Sequence, residues 1–190
     1  MQTKNKGWDY CGNAQVRVDA AYQIIVACDV TEAANDKQQA SPMAQLTVAH
    51  LAHAGIEIPK DASGVAQKLP ATYDSGYYSE VAASAVEQRG FEPYMATGRQ
   101  RYHASEAEGM EPPATAKERM AAKVRTPTGR ALYARRKVIV EPVFGQIKEV
   151  RGFRRFLLRG LDNIRGEWHL VCVTHNLLKL WRYTFAPITV

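Results

Sequence analysis

Pro142 sits inside a run, Thr126 to Val150, that otherwise reads as one long helix, and this conflict constrains the chain more than any other feature. A proline in a helix interior has no N–H to give and presses on the carbonyl one turn back, so the helix should kink or restart beside Glu141. Around that point the sequence reads Tyr133-Ala-Arg-Arg-Lys-Val-Ile-Val-Glu141-Pro-Val-Phe-Gly-Gln-Ile-Lys148. Glu141 and Lys148 lie two helical turns apart and on a continuous helix project from one side. Such a face could hold a metal-binding acid next to a cation that pins a phosphate. A solvated basic helix whose glutamate pairs with an arginine has the same composition.

Upstream, the pattern changes from helical to strand-like. Asn13 to Ala20 alternates Ala14, Val16 and Val18 with Gln15, Arg17 and Asp19, as a half-buried strand does. Gln23 to Val30 reads as a more buried strand, and the short link makes the two a hairpin. Asp36 to Ala54 reads as a helix capped by Asn35 or Asp36 and ended by Gly55. After a loop from Ile56 to Lys68, a short strand delivers Asp74 at its carboxyl end. A Ser-Gly turn follows, then a helix capped by Ser79 and running to Arg89, then a strand over Phe91 to Ala96. An acid at a strand's carboxyl end is where open α/β sheets place ligands, and equally where a residue caps a helical turn.

Thr97 to Pro113 reads as loop, and His103 within it matches no metal-ligand spacing. Ala114 to Val124 is helical, with Pro127 acceptable in the first turn of the next helix. Arg151-Gly-Phe-Arg-Arg-Phe-Leu-Leu-Arg-Gly160 is a basic, aromatic-bearing connection. Asp162 to Tyr183 is the clearest helix, its apolar face drawn from Ile164, Trp168, Val171, Cys172, His175, Leu178 and Trp181 or their neighbours. His175 on that face reads as a hydrogen-bonded core histidine.

Charge separates the two ends of the chain. The 190 residues carry 25 Lys+Arg against 19 Asp+Glu, a net charge of +6. From Arg125 to Arg165 the only acids are Glu141, Glu149 and Asp162, so the basic character belongs to the second half and favours a polyanionic partner. At 46% hydrophobic residues, one globular domain with a core of its own is expected. Cys11, Cys28 and Cys172 are widely spaced and form no C-x-x-C pair, which argues against a disulfide framework or a zinc site. No apolar run reaches membrane-spanning length, and the chain reads as cytoplasmic and nucleoid-associated, with no membrane partner.

Taken together, three passages resemble the DDE-type transposases of bacterial insertion sequences. They are Asn13-Ala-Gln-Val-Arg-Val-Asp19 with Asn35-Asp36-Lys37-Gln38, Asp74-Ser-Gly-Tyr-Tyr-Ser79, and Val140-Glu141-Pro-Val-Phe-Gly-Gln-Ile-Lys148 continuing to Arg151-Gly-Phe-Arg-Arg155. The tail, from Arg165-Gly-Glu-Trp-His-Leu to His175-Asn-Leu-Leu-Lys179, adds to the likeness.

The resemblance implies an α/β, RNase H-like mixed sheet flanked by helices, with three carboxylates at one edge holding two Mg²⁺ (or Mn²⁺) ions. Hard oxygen donors suit those ions, and two ions about 4 Å apart activate a nucleophile and stabilise a leaving alkoxide. Asp74 falls on the second acid and Glu141 on the third, as catalytic and metal-holding residues. Tyr133, Arg136 and Lys148 fall on the residues that contact DNA near the scissile phosphate, with Arg135 an alternative to Arg136. Arg151, Arg154 and Arg155 extend that DNA-binding surface.

The first acid of such relatives lies on a strand upstream of Asn13, which this chain does not show. Only two strands precede its first helix where that fold has three. The expectation is therefore a C-terminal portion, 1–190, of one catalytic domain, with 114–190 its helical and basic part. It lacks the central strand and is inactive or weakly active alone. Asp19 is the candidate substitute for the first acid, and Asp9 a weaker one. Expected partners are insertion-sequence ends and target DNA, full-length transposase, or a second copy. The alternative is a non-catalytic DNA-binding protein that interferes with full-length transposase.

Overall fold

The computed structural model describes residues 12–98 and 115–185. Asp9, Cys11, His103 and nearly all of the loop expected over Thr97 to Pro113 lie outside the described residues. The chain is mixed α/β, with two two-stranded sheets among the described residues, and it divides into two compact units. One unit comprises Met1–Ala34 with Lys137–Val190, and the other Asn35–Arg136.

In the first unit, β1 (Asn13–Val18) and β2 (Ile25–Thr31) form the expected antiparallel hairpin. Its turn is built by Asp19, whose carboxylate accepts from the amides of Ala21 (3.0 Å), Tyr22 (2.8 Å) and Ile24 (3.3 Å). Gln23 closes the turn with a φ of +59°, the left-handed region that few non-glycine residues enter. β2 begins at Ile25, two residues later than its apolar run, because the turn takes Gln23 and Ile24.

Helix α5 (Leu161–Phe185) lies against β2 and is held there by side chains along one face. Arg165 pairs with Asp29 at 3.0 Å, Trp168 Nε1 donates to the Gln15 carbonyl at 3.2 Å, and Asn176 grips both backbone groups of Ile25 at 2.8 Å. Trp168 is also the centre of the core, ringed by Phe144, Phe153 and Phe156 with centroids 6.3 to 6.4 Å away. Val143 and Ile147 are fully buried in the same cluster. His175 is buried as expected, whereas Trp181 is 57% exposed and does not belong to the apolar face. Cys28 and Cys172 are free thiols.

In the second unit, β3 (Leu69–Tyr73) and β4 (Phe91–Met95) are parallel neighbours joined through α2 (Glu80–Glu87). Ser79 caps α2 by accepting from Ala82 N at 3.1 Å, and Gly90, at φ +83°, lets the chain turn back into β4. Val86, Phe91 and Met95 are at the centre of the core, closed by Met120 and Val124 of α3 (Ala116–Arg125). Thr115 and Glu118 form a capping box at the start of α3.

The helix expected from Asp36 instead begins at Ala40. Asn35 Oδ1 accepts from Lys37 N (3.2 Å) and the Asp36 carbonyl from Gln39 N (2.9 Å), so these residues form a turn ahead of α1 (Ala40–His53). Gln39 is the N-cap and makes no side-chain cap bond, which corrects the assignment of Asn35 or Asp36 as the cap. Asx turns of this kind compete with helix for the same amides.

Helix α4 (Pro127–Gly145) starts on Thr126, which accepts from Gly129 N at 3.0 Å, with Pro127 in the first turn. It supplies Leu132 and Tyr133 to the core of the second unit and Val143 to that of the first. Pro142 neither breaks nor restarts it. The winding instead widens into a π-helical segment, Gln146–Val150, after Gly145.

Candidate active site and basic surface

Asp74 follows the last residue of β3 and has extended backbone, so the strand itself delivers the carboxylate. Oδ1 accepts from Ser75 N at 2.7 Å and caps a single 3₁₀ turn, Ser75–Tyr77. Oδ2 faces Arg136 Nη1 at 3.4 Å. The two readings of Asp74 thus coexist: one oxygen organises the turn, and the other faces a cation with its side chain 58% exposed.

Arg136 is held more firmly than its partner. Its guanidinium stacks on Tyr133 at 5.5 Å, its side chain is only 19% exposed, and its Nε is buried without a partner among the described residues. Arg135, its neighbour, is exposed. Three of the residues picked from sequence (Asp74, Tyr133 and Arg136) therefore come together inside the second unit. An ion pair this open is worth at most about 1 kcal/mol.

Asp36 stands at the same turn. A Cβ placed on Gly76 would lie 3.5 Å from Asp36 Oδ2, so the carboxylate reaches the turn that Asp74 caps. Sequence reasoning read Asp36 as a helix cap and missed this placement. The usable signal was the Gly two residues after Asp74, which leaves room for a second side chain.

Glu141 is exposed on α4. Lys148, on the π-helical segment, lies over the Phe144 ring at 5.1 Å. In the connection after it, Phe153 and Phe156 point into the core against Trp168 while Arg154 and Arg155 are exposed. The expected DNA-binding arginines divide by environment. Arg151 donates to the Val171 carbonyl at 3.2 Å and to Thr174 Oγ1, which ties it to α5. Arg154 is paired with Glu149, and Arg155 is open to solvent. Asp19, the candidate substitute acid, has both oxygens occupied by the amides of its own turn.

Within the second unit the donor chemistry at this turn suits a hard divalent ion, since Asp74 and Asp36 offer only carboxylate oxygens. Among the described residues no group of three or more His, Cys, Asp or Glu is placed to hold a metal ion. No helix of the described residues is long and apolar enough to cross a membrane.

Residues 83–181, just over half of the chain, match the family described as the transposase DDE domain. The chain belongs to that family. No curated protein and no solved structure matches it. The span shared with the DDE transposases contains Tyr133, Arg136, Glu141, Lys148 and Arg151 to Arg155, while Asp74 and Asp19 precede it. Transposases of this family act on DNA and use divalent metal ions.

Proposed function

We propose that residues 1–190 form one catalytic domain of RNase H-like type, in which Asp74 and Glu141 are the second and third metal-holding acids. The first acid belongs to a strand outside this stretch, the central strand of the family's sheet. On its own the stretch binds DNA and does not cut it.

The observation that carries this reading is the cluster of Asp74, Arg136 and Tyr133. A strand-end carboxylate meets a half-buried arginine stacked on a tyrosine, all three picked from sequence as site residues. Two further features support it. Each described sheet has two strands, fewer than the mixed sheet of the proposed fold. Both oxygens of Asp19 are engaged, which leaves it poorly suited to replace the first acid.

Asp74 and Glu141 would hold Mg²⁺ or Mn²⁺, which when bound supplies the activation of water and the stabilisation of the leaving oxygen in phosphodiester cleavage. Arg136 orients the Asp74 carboxylate. Lys148 and Arg155 contact DNA phosphates, and Arg154 joins them when DNA phosphate competes with Glu149.

The test uses the whole chain with a supercoiled plasmid and a short duplex. Binding should weaken steeply with salt, and no Mg²⁺- or Mn²⁺-dependent nicking should appear. Nicking lost in Glu141→Gln would keep the catalytic site and overturn the claim that the first acid is missing. Absence of both binding and nicking would contradict the reading of the basic surface.

A further inference from the structure

We propose that Gln23, in the hairpin turn, is a positioning residue for Glu141, supplying the hydrogen bond that Pro142 cannot make. The proposal rests on the reading of Glu141 as a metal-holding acid.

In an unbroken helix the amide of residue 142 would donate to the carbonyl of Val138. Proline has no N–H, and its ring pushes that carbonyl outward, so Val138 O loses its partner on the turn that carries Glu141. Gln23 Nε2 donates to Val138 O at 3.0 Å, from 115 residues away in sequence.

Gln23 is in turn held at its side-chain oxygen and its backbone carbonyl. Its Oε1 accepts from Lys179 Nζ at 2.6 Å, and its backbone carbonyl faces His175 Nε2 at 3.0 Å. Its backbone is held in the left-handed region at φ +59°, a cost repaid by the contacts it permits. Lys179 and His175 are one turn apart on α5, and Asn176 between them grips Ile25 at 2.8 Å through both backbone groups. The path runs from α5 through Gln23 to Val138, and Glu141 follows three residues later on the same helix. All of these residues lie in the unit formed by Met1–Ala34 and Lys137–Val190. Gln23 thus holds the turn that Pro142 leaves one hydrogen bond short, and α5 holds Gln23.

A generic packing role and this role differ in one respect. If Gln23 serves the carbonyl that Pro142 vacates, restoring an N–H at 142 makes it redundant. The experiment is a double-mutant cycle on the whole chain: wild type, Gln23→Ala, Pro142→Ala and the double variant. It is read by the urea unfolding equilibrium and by the ¹³C carbonyl resonance of Val138. Gln23→Ala should change the unfolding constant about two- to tenfold and move the Val138 resonance. In the Pro142→Ala background both effects should fall to a small fraction of those values. Gln23→Glu keeps an acceptor for Lys179 and removes the donor, so it should also move the Val138 resonance, and only where residue 142 is proline.

If Gln23→Ala alone fails to fold, recovery of folding in the double variant supports the proposal. Equal effects in both backgrounds, or failure to fold in both, would overturn it. Failure of the transposase reading looks different: Mn²⁺ binding would be indifferent to Glu141→Gln while residues 23 and 142 stayed coupled.

Discussion

Arg136 and His175 show how single side chains take their roles from what surrounds them. Stacking on Tyr133 gives the Arg136 guanidinium a fixed plane, and Asp74 meets its edge. A lysine keeps the charge but neither stacks nor presents a planar fork. Arg136→Lys should therefore leave folding nearly unchanged and reduce Mn²⁺-dependent behaviour at Asp74, read as a changed Mn²⁺ affinity. His175 is a pH-sensitive element of a different kind. Burial holds its imidazole below the ordinary value of 6.5, the Gln23 carbonyl works in the opposite direction, and the charges of Lys179 and Arg151 depress it further. A carbonyl only accepts, so Nε2 carries the proton in the neutral ring. Below about pH 6.5 the unfolded chain takes up a proton that the folded chain refuses, so stability present above that pH is lost as pH falls through the depressed value. Unfolding free energies measured between pH 7.5 and pH 5 should show this loss, and His175→Gln should flatten it.

At the scale of elements, one junction in each unit decides how that unit holds together. The α3–α4 corner depends on Gly129, where an added Cβ would lie 2.1 Å from the Lys123 carbonyl. Alanine in place of a helical glycine ordinarily stabilises by about 1 kcal/mol. Gly129→Ala should do the opposite, lowering the urea midpoint, because the corner has no room for a methyl group. In the other unit, Trp168 packs against three phenylalanines and donates to β1, so Trp168→Ala should cost about 3–5 kcal/mol. The long periodic helix α5, the Ser79 cap and the strand delivering Asp74 were all legible, because local pattern and tertiary placement agree there. The start of α1 was not, since Asn35 can cap a helix or form a turn and only packing decides. The response of α4 to Pro142 was half legible. Local sequence announces the lost hydrogen bond at Val138, but the donor that replaces it lies in a turn 115 residues away, which no local pattern names.

For the whole molecule, the basic second half divides into residues that hold the fold and residues that face solvent. Arg151→Ala should lower stability, since its guanidinium is bound to α5. Lys148→Ala and Arg155→Ala should instead each reduce the salt dependence of DNA binding by about one unit of slope. The family itself was readable from three separated passages, and the match over residues 83–181 includes the glutamate and lysine of the last of them. Which acids hold the ions is the claim on which the functional account depends. Mn²⁺ binding to the whole chain, followed by electron paramagnetic resonance in wild type, Asp74→Asn, Glu141→Gln and the double variant, tests it most directly. The account predicts that each single change weakens binding of the same ion and that the double variant loses little more than either. Wild-type binding in either single variant, or two losses that simply add, would contradict it.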